Sequence, residues 1–120
     1  MSYHTSIMLD ECIEGLNIKE NGIYVDLTFG GGGHSKAILE KLKGGHLYAF
    51  DQDEDAGKNA QDFDSSSFTF IQSNFRYLKK YLKFYGVTKV DGILADLGVS
   101  SHQINEATRG FSTRFEGPLD

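Results

Sequence analysis

The sequence predicts an α/β protein built on a mainly parallel sheet. Four short apolar segments, rich in β-branched and aromatic residues, alternate with segments whose apolar residues recur at helical spacing. A run of four glycines, Gly30–Gly33, separates the first strand-like segment from the first helical one. Strands and helices that alternate in this way form βαβ units, whose right-handed crossovers keep the strands parallel.

The first βαβ unit is defined by turn and glycine signals. Residues 22–27 are predicted to form the first strand, because isoleucine, tyrosine and valine favour strands and an Asn-Gly turn signal precedes them. Residues 34–42 are predicted to form the first helix, which two glycines at 44 and 45 end. The second strand covers 46–50 and closes on Asp51, and 53–61 form a short polar helix.

The second half of the sheet follows the same alternation. Residues 68–72 predict the third strand, and Asn74 is placed to cap the next helix. The residues expected on the buried face of that helix are Phe75, Leu78, Leu82 and Tyr85. Residues 90–95 predict the fourth strand, ending on Asp96. We expect an α/β core over 1–97, and a long loop with one short helix over 98–120.

Composition places the chain among ordinary globular proteins and limits its partners. It has 120 residues, of which 39% are hydrophobic and 24% charged, and one cysteine. No apolar run approaches the ~20 residues that span a bilayer, and the start lacks a secretory signal, which predicts a cytoplasmic protein without a membrane partner. The net charge of -5 argues against a general nucleic-acid binder. A nucleic-acid substrate would therefore have its main binding surface elsewhere.

The glycine run and an acidic residue after the second strand predict a nucleoside cofactor. Glycines permit unusual torsions and let a ligand approach the main chain closely, at the edge of a parallel sheet where ligands bind. Asp51 follows Gly30 by 21 residues, at the end of the next strand. An acid in that place typically accepts hydrogen bonds from a ribose diol.

Two features of the sequence decide between cofactors: the absence of the third fingerprint glycine and the acidic residues near the strand ends. Counted from Gly30, the dinucleotide fingerprint requires its third glycine where this chain has Ser35. Asp26, Asp51 and Asp96 fall at or near strand ends, so we expect an acidic crevice. Acidic side chains repel a pyrophosphate and attract the sulfonium and amino groups of S-adenosylmethionine. The sequence thus favours S-adenosylmethionine, a methyl donor. We expect no metal site.

Several segments of the chain form a recognisable set of motifs. They are DLTFGGGGHS at 26–35, AFDQD at 49–53 and DGILADLGVSSHQ at 91–103, with HTSIMLDE at 4–11 and RGFSTRFEGPLD at 109–120 in support. In order and spacing these segments closely resemble the bacterial ribosomal RNA small-subunit methyltransferase H family. The resemblance implies a class I methyltransferase fold with strand order 3-2-1-4 in this chain. It also implies methyl transfer from S-adenosylmethionine to the N4 amine of a cytosine in the decoding region of small-subunit ribosomal RNA, with that RNA or the small subunit as partner.

The resemblance also implies roles for individual residues. The cofactor-binding positions are Gly32, Gly33, His34, Asp51, Phe75, Asp96 and Gln103. Among them Asp51 would hold the ribose hydroxyls and Phe75 would lie against the adenine. Asp96 and Gln103 would line the methyl-transfer end, and Asp96 is the candidate catalytic acceptor for the amine.

The chain departs from related patterns in ways that carry expectations. Asp96 is not followed by the two prolines and the aromatic residue common in amine methyltransferases acting on DNA, and Thr113 and Glu116 stand where the family suggests an aromatic and an aspartate. The chain resembles the N-terminal portion of a longer enzyme or a natural remnant of one. The resemblance implies an S-adenosylmethionine-binding methyltransferase core over 1–97 and an active-site loop over 98–120 that leads into a missing substrate domain. We therefore expect the chain alone to bind the cofactor weakly at best and not to methylate ribosomal RNA. We also expect it either to self-associate through an exposed fourth strand or to cover that strand with its own C-terminal segment.

Two other functions share part of this pattern. A nicotinamide-dependent oxidoreductase would use the same loop and Asp51, but its fingerprint requires the third glycine, which this chain lacks. A non-catalytic cofactor-binding or assembly module could use the basic and tyrosine-rich stretch 76–85 as an RNA-facing surface. The same charges are also typical of a solvated helix face.

Overall fold

The computed structural model describes residue 11 and residues 13–95, 99–111 and 113–117. Within them, one parallel sheet runs in the order β3-β2-β1-β4-β5. The strands are β1 (Ile23–Asp26), β2 (His46–Asp51), β3 (Phe68–Gln72), β4 (Gly92–Leu94) and β5 (Arg114–Glu116). The helices are α1 (Gly33–Lys41), α2 (Glu54–Ala60), α3 (Leu78–Phe84) and α4 (Ser101–Thr108), with a 3-10 turn at Phe75–Tyr77. The α/β class and the parallel order of the first four strands are confirmed.

Alternating side chains of the strands build one apolar cluster on each face of the sheet. In β2, Leu47 and Ala49 belong to the cluster under α1 and α2, whereas Tyr48 and Phe50 belong to the cluster under α3 and α4. Ile38 of α1 is fully buried on the first face. A sheet covered on both faces in this way leaves its strand ends as the accessible edge where a ligand can bind.

The helix ends follow from local hydrogen bonding. The Asp53 side chain caps α2 by accepting from the Asp55 N–H, and Asn74 caps the 3-10 turn by accepting from the Arg76 N–H, both at 2.9 Å. No helix in the described part of the chain is long and apolar enough to cross a membrane.

The prediction of the buried face of α3 is wrong at the C-terminal end of the helix. Leu78 and Leu82 are fully buried and Phe75 is half-buried, but Tyr85 is 43% exposed. The helix ends at Phe84, so Tyr85 lies beyond the last helical residue and packs its ring against Tyr48 instead.

A fifth strand, absent from the sequence prediction, covers β4. Gly92, Ile93 and Leu94 pair with Arg114, Phe115 and Glu116. The Ala95 N–H extends this pairing by donating to the Glu116 carbonyl at 3.0 Å. Of the two outcomes expected for the fourth strand, the structure shows cover by the chain's own C-terminal segment.

Candidate functional site

A cavity of about 230 Å³ lies at the carboxyl ends of β1, β2 and β3. Because parallel strands end at one edge, the segments that follow them converge there. The residues lining the cavity are Leu27, Thr28, Asp51, Gln52, Ser73, Asn74, Phe75, Val99 and Gln103. Three residues named from the sequence, Asp51, Phe75 and Gln103, are thus brought together although they are far apart in the chain.

Asp51 ends β2 with a carboxylate that organises the neighbouring backbone. One oxygen accepts the Gly30 N–H at 2.8 Å, and the other accepts the Asp53 N–H at 3.0 Å. Two carboxylate oxygens offer about four acceptor positions, so two remain for ligand hydroxyls. The side chain is half-exposed at the cavity. It therefore connects the glycine loop to the cavity and keeps the capacity to bind a diol.

Phe75 and Gln103 reach the cavity from two capped turns. Phe75 opens the 3-10 turn and packs part of its ring against the core cluster under α3. Gln103 completes a capping box, because its Oε1 accepts the Ser100 N–H at 2.9 Å and its own N–H donates to Ser100 Oγ at 3.2 Å. Gln103 thus has a structural task, fixing the start of α4 at the cavity, that the sequence motif did not show.

The four glycines divide into two kinds. Gly30 and Gly32 have φ of +52° and +89°, and a Cβ on Gly32 would lie 3.0 Å from the Phe63 ring and 3.1 Å from the Phe29 ring. Backbone conformation and packing therefore explain these two glycines. Gly31 and Gly33 have no positive φ, and a Cβ there would meet no atom within 4 Å. Nothing inside the described protein requires glycine at these two positions.

Of the remaining residues that the sequence predicts for the site, those that the structure describes do not line the cavity. Gly32, Gly33 and His34 do not line the 230 Å³ cavity; they form the cap and first turn of α1 beside it. Gly32 is buried, Gly33 is exposed and His34 is half-buried. Asp96 lies outside the described residues.

Asp26 does not contribute an exposed charge to the crevice, which corrects the sequence expectation. Its side chain is fully buried, and its two carboxylate oxygens accept the Thr28 N–H at 2.9 Å and the Ser35 hydroxyl at 2.8 Å. These bonds tie the end of β1 to the first turn of α1. Ser35, at the position of the third fingerprint glycine, is therefore the buried partner of Asp26.

Asn59 is a site-forming residue that the sequence did not reveal. Its side-chain amide donates to the Gly30 carbonyl at 3.1 Å, while Asp51 holds the N–H of the same glycine. Both sides of Gly30 are thereby fixed, one from α2 and one from β2. In the sequence Asn59 is one polar residue among several in a polar helix, so only the fold could single it out.

A larger cavity of about 690 Å³ lies on the other side of the glycine loop. Side chains of α1, the end of α2 and the following loop line it, including Lys36, Glu40, Lys58 and Asp62. It runs alongside helices and not at the carboxyl ends of the strands, where ligands of such sheets bind. The smaller cavity is therefore the candidate site.

Comparison with known proteins agrees with the fold and the motifs. The model of the MraW methylase family matches residues 1–120. Ribosomal RNA small subunit methyltransferase H of Cytophaga hutchinsonii is 63% identical over 118 residues, which are 98% of this chain and 40% of that protein. The chain spans about two fifths of the length of the curated relatives that it matches.

Solved structures give the same result. An rRNA methylase from Streptococcus thermophilus superimposes with a TM-score of 0.62 at 25% identity, over 89% of this chain and 61% of the other. A Streptococcus mutans methyltransferase structure, determined in complex with SAH, gives 0.58 at 19% identity, over 84% and 55%. With the observed strand order, these likenesses confirm the class I methyltransferase fold. Since the family model matches its whole length, the chain belongs to the MraW methylase family.

Proposed function

We propose that this chain is the S-adenosylmethionine-binding part of an enzyme that methylates small-subunit ribosomal RNA, at the N4 amine of a cytosine in the decoding region. The observation that carries the proposal is the cavity at the strand ends, where Asp51, Phe75 and Gln103 converge. The names of the relatives, which are small-subunit rRNA methyltransferases, support the substrate. Membership of a methylase family speaks against the nicotinamide-dependent alternative.

The residues at the cavity fit the nucleoside end of the cofactor. Asp51 has free acceptor positions for a ribose diol, and Phe75 offers a partly exposed ring for an adenine. The open space beside Gly33, at the start of α1, lets a ligand approach the main chain there, whereas Gly31 lines the larger cavity. At about 230 Å³ the cavity is smaller than the ~300–1,000 Å³ of sites for drug-sized ligands, so it holds part of the cofactor.

The proposed reaction depends on positioning. Bound S-adenosylmethionine supplies an electrophilic methyl group on its sulfonium. The cytosine amine is a weak nucleophile because its lone pair is delocalised into the ring, so fixing the amine in line with the methyl group provides much of the rate gain. We assign to Asp96, which follows the strand β4 in sequence, the acceptance of an amine hydrogen. Proton loss after methyl transfer requires no strong base.

Calorimetry with S-adenosylmethionine and S-adenosylhomocysteine tests the cofactor assignment. Replacing Asp51→Ala removes charge-assisted hydrogen bonds of about 1.5–3 kcal/mol, which predicts roughly 10- to 150-fold weaker binding. Asp64→Ala is the matched control, because Asp64 also accepts a backbone N–H two residues ahead, from Ser66 at 2.9 Å, but does not line this cavity. Equal affinities of both variants would refute the role of Asp51, and no cofactor binding by the unmodified chain would refute the assignment itself.

Product analysis tests the methylated atom. Small subunits are incubated with labelled S-adenosylmethionine and either this chain or its Cytophaga hutchinsonii relative, and the RNA is then digested to nucleosides. We expect N4-methylcytidine from the relative and no turnover by the 120-residue chain alone. A methyl group on another atom or base would overturn the N4 proposal, and robust turnover by this chain would overturn the expectation of inactivity.

A further inference from the structure

One segment of the chain differs sharply in charge from the rest. Between residues 65 and 90 there are five basic residues and no aspartate or glutamate. They are Arg76, Lys79, Lys80, Lys83 and Lys89. The remaining residues carry 7 basic and 17 acidic side chains. A protein of net charge -5 thus concentrates positive charge on one part of its surface.

The fold turns these cations outward, and none of them forms an ion pair with another residue that the structure describes. Leu78 and Leu82 are fully buried in the core, which directs the intervening lysines of α3 to solvent. Among the described residues, ion pairs join Lys43 to Glu20, Lys58 to Asp55 and Arg109 to Glu106, and none involves the five basic residues of the segment. Their charge is therefore available to a partner.

The same segment carries every exposed large hydrophobic side chain in the part of the chain that the structure describes. These are Tyr77, Phe84 and Tyr85, with 40%, 79% and 43% of their surface exposed. The Arg76 guanidinium lies 4.7 Å from the Tyr77 ring centre, and the Lys80 ammonium 5.9 Å from it. Exposed aromatic rings beside cations are the combination that binds stacked bases and phosphates.

A groove adjoins this face. It has a volume of about 400 Å³ and lies between α3 and the end of α4, with Lys79, Lys83, Arg109 and Phe111 among its lining residues. Two lysines of the segment thus face a concave surface next to an aromatic ring. The groove therefore offers a polyanion a concave surface lined by positive charges.

We propose that the basic face, defined as residues 76–89 with the adjoining groove, binds a single-stranded segment of RNA. Lys79 and Lys83 contact backbone phosphates along the groove, and Tyr77, Phe84 and Tyr85 stack on bases. A merely solvated helix face commonly mixes both signs of charge and does not account for a phenylalanine that is 79% exposed. The face begins beside the cofactor cavity, because Arg76 directly follows the cavity residue Phe75, and it ends at the groove, whose residues 86–88 precede β4. The inference rests on the proposed function for the class of RNA, but its binding test does not use the cofactor.

Fluorescence anisotropy with a short labelled single-stranded RNA measures the interaction at several salt concentrations. The paired variant Lys79→Gln with Lys83→Gln removes two phosphate contacts, so the slope of log affinity against log salt falls by about 1.4. The control pair Lys19→Gln with Lys41→Gln makes the same change of charge on other exposed residues and leaves the slope unchanged. Phe84→Ala weakens RNA binding by roughly 5- to 100-fold through lost stacking.

Several results would overturn the proposal. They are no RNA binding by the chain, equal effects of the two lysine pairs, or unchanged RNA affinity of Phe84→Ala. If polyglutamate binds as tightly as RNA, the face binds an acidic protein partner instead. If light scattering shows dimers that dissociate in Phe84→Ala while RNA affinity is unchanged, the face is an interface between copies of the chain. Calorimetry with S-adenosylhomocysteine separates the two proposals, since the lysine variants keep cofactor binding even where they lose RNA.

Discussion

The two kinds of glycine in the loop lead to opposite expectations for alanine substitutions. Gly32 has φ of +89°, and a Cβ there would crowd the rings of Phe63 and Phe29 at 3.0 and 3.1 Å. A left-handed conformation costs a non-glycine residue about 1–2 kcal/mol, and overpacking costs about 1–3 kcal/mol. Alanine also lowers the conformational entropy of the unfolded chain, which offsets about 0.4–1 kcal/mol of this cost. Gly32→Ala should therefore lower the free energy of unfolding by about 2–4 kcal/mol.

Gly33→Ala should leave stability intact and weaken cofactor binding instead. Its Cβ would enter open space, and Gly33 begins α1, where alanine is favoured over glycine by up to about 1 kcal/mol. If the cofactor occupies that space, a new methyl group costs about 1–3 kcal/mol of overpacking, which is roughly 5- to 150-fold in affinity. Gly31→Ala is the control, because its Cβ would also enter open space but Gly31 lines the larger cavity.

Urea denaturation and calorimetry with S-adenosylhomocysteine, applied to all three variants, separate these effects. The reasoning is refuted if Gly33→Ala binds the ligand as tightly as the unmodified chain, or if Gly31→Ala weakens ligand binding as much as Gly33→Ala does. It is also refuted if they lose as much stability as Gly32→Ala, because their glycines would then be needed for folding.

Three further substitutions test the charge, pH dependence and edge of the molecule. Asp96→Asn should weaken the binding of S-adenosylmethionine more than that of S-adenosylhomocysteine, which lacks the sulfonium charge, in calorimetry; equal losses would mean that Asp96 does not sense the sulfonium. Burial lowers the pKa of His46 below 6.5, so the unfolded chain binds the proton first as the pH falls. The free energy of unfolding should therefore decrease from about pH 6.5 down to the lower folded pKa, and His46→Gln should remove that slope in urea titrations. Gly117→Ala would place a Cβ in steric clash with the Ala95 carbonyl oxygen and should expose the Ala95 amide to hydrogen exchange. Gly110→Ala, with φ of +91° but no atom within 4 Å, should leave that amide protected, and equal exchange in both variants would contradict the steric argument.

The sequence predicted those elements whose signals are local. The apolar runs of β1, β2 and β3 lie between glycine or polar turns, so their bounds agree with the structure to within a residue or two. β5 escaped prediction because Arg114–Glu116 has only one apolar residue and becomes a strand by pairing with β4. Tyr85 fits the helical spacing of α3, but the helix ends one residue earlier.

The positions of the candidate site residues were predictable where motif and topology coincide. Asp51 and Phe75 directly end or follow strands, so their convergence follows from a parallel sheet. Asp26 satisfies the same rule and yet points into the protein, because Ser35 and the Thr28 N–H provide its partners there. Asn59 approaches Gly30 only through the packing of α2 against the loop, which no local pattern encodes.

The crossover from β4 through α4 to β5 makes the cavity and the sheet edge thermodynamically linked. Val99 and Gln103, on one wall of the cavity, belong to the segment that β5 anchors through three paired residues. If ligand binding against that wall requires β5 to be paired, the ligand stabilises this pairing, and a partner on the outer edge of β5 strengthens ligand binding by the same factor by which the ligand strengthens binding of that partner. A chain segment or partner that never touches the ligand can in this way set its affinity.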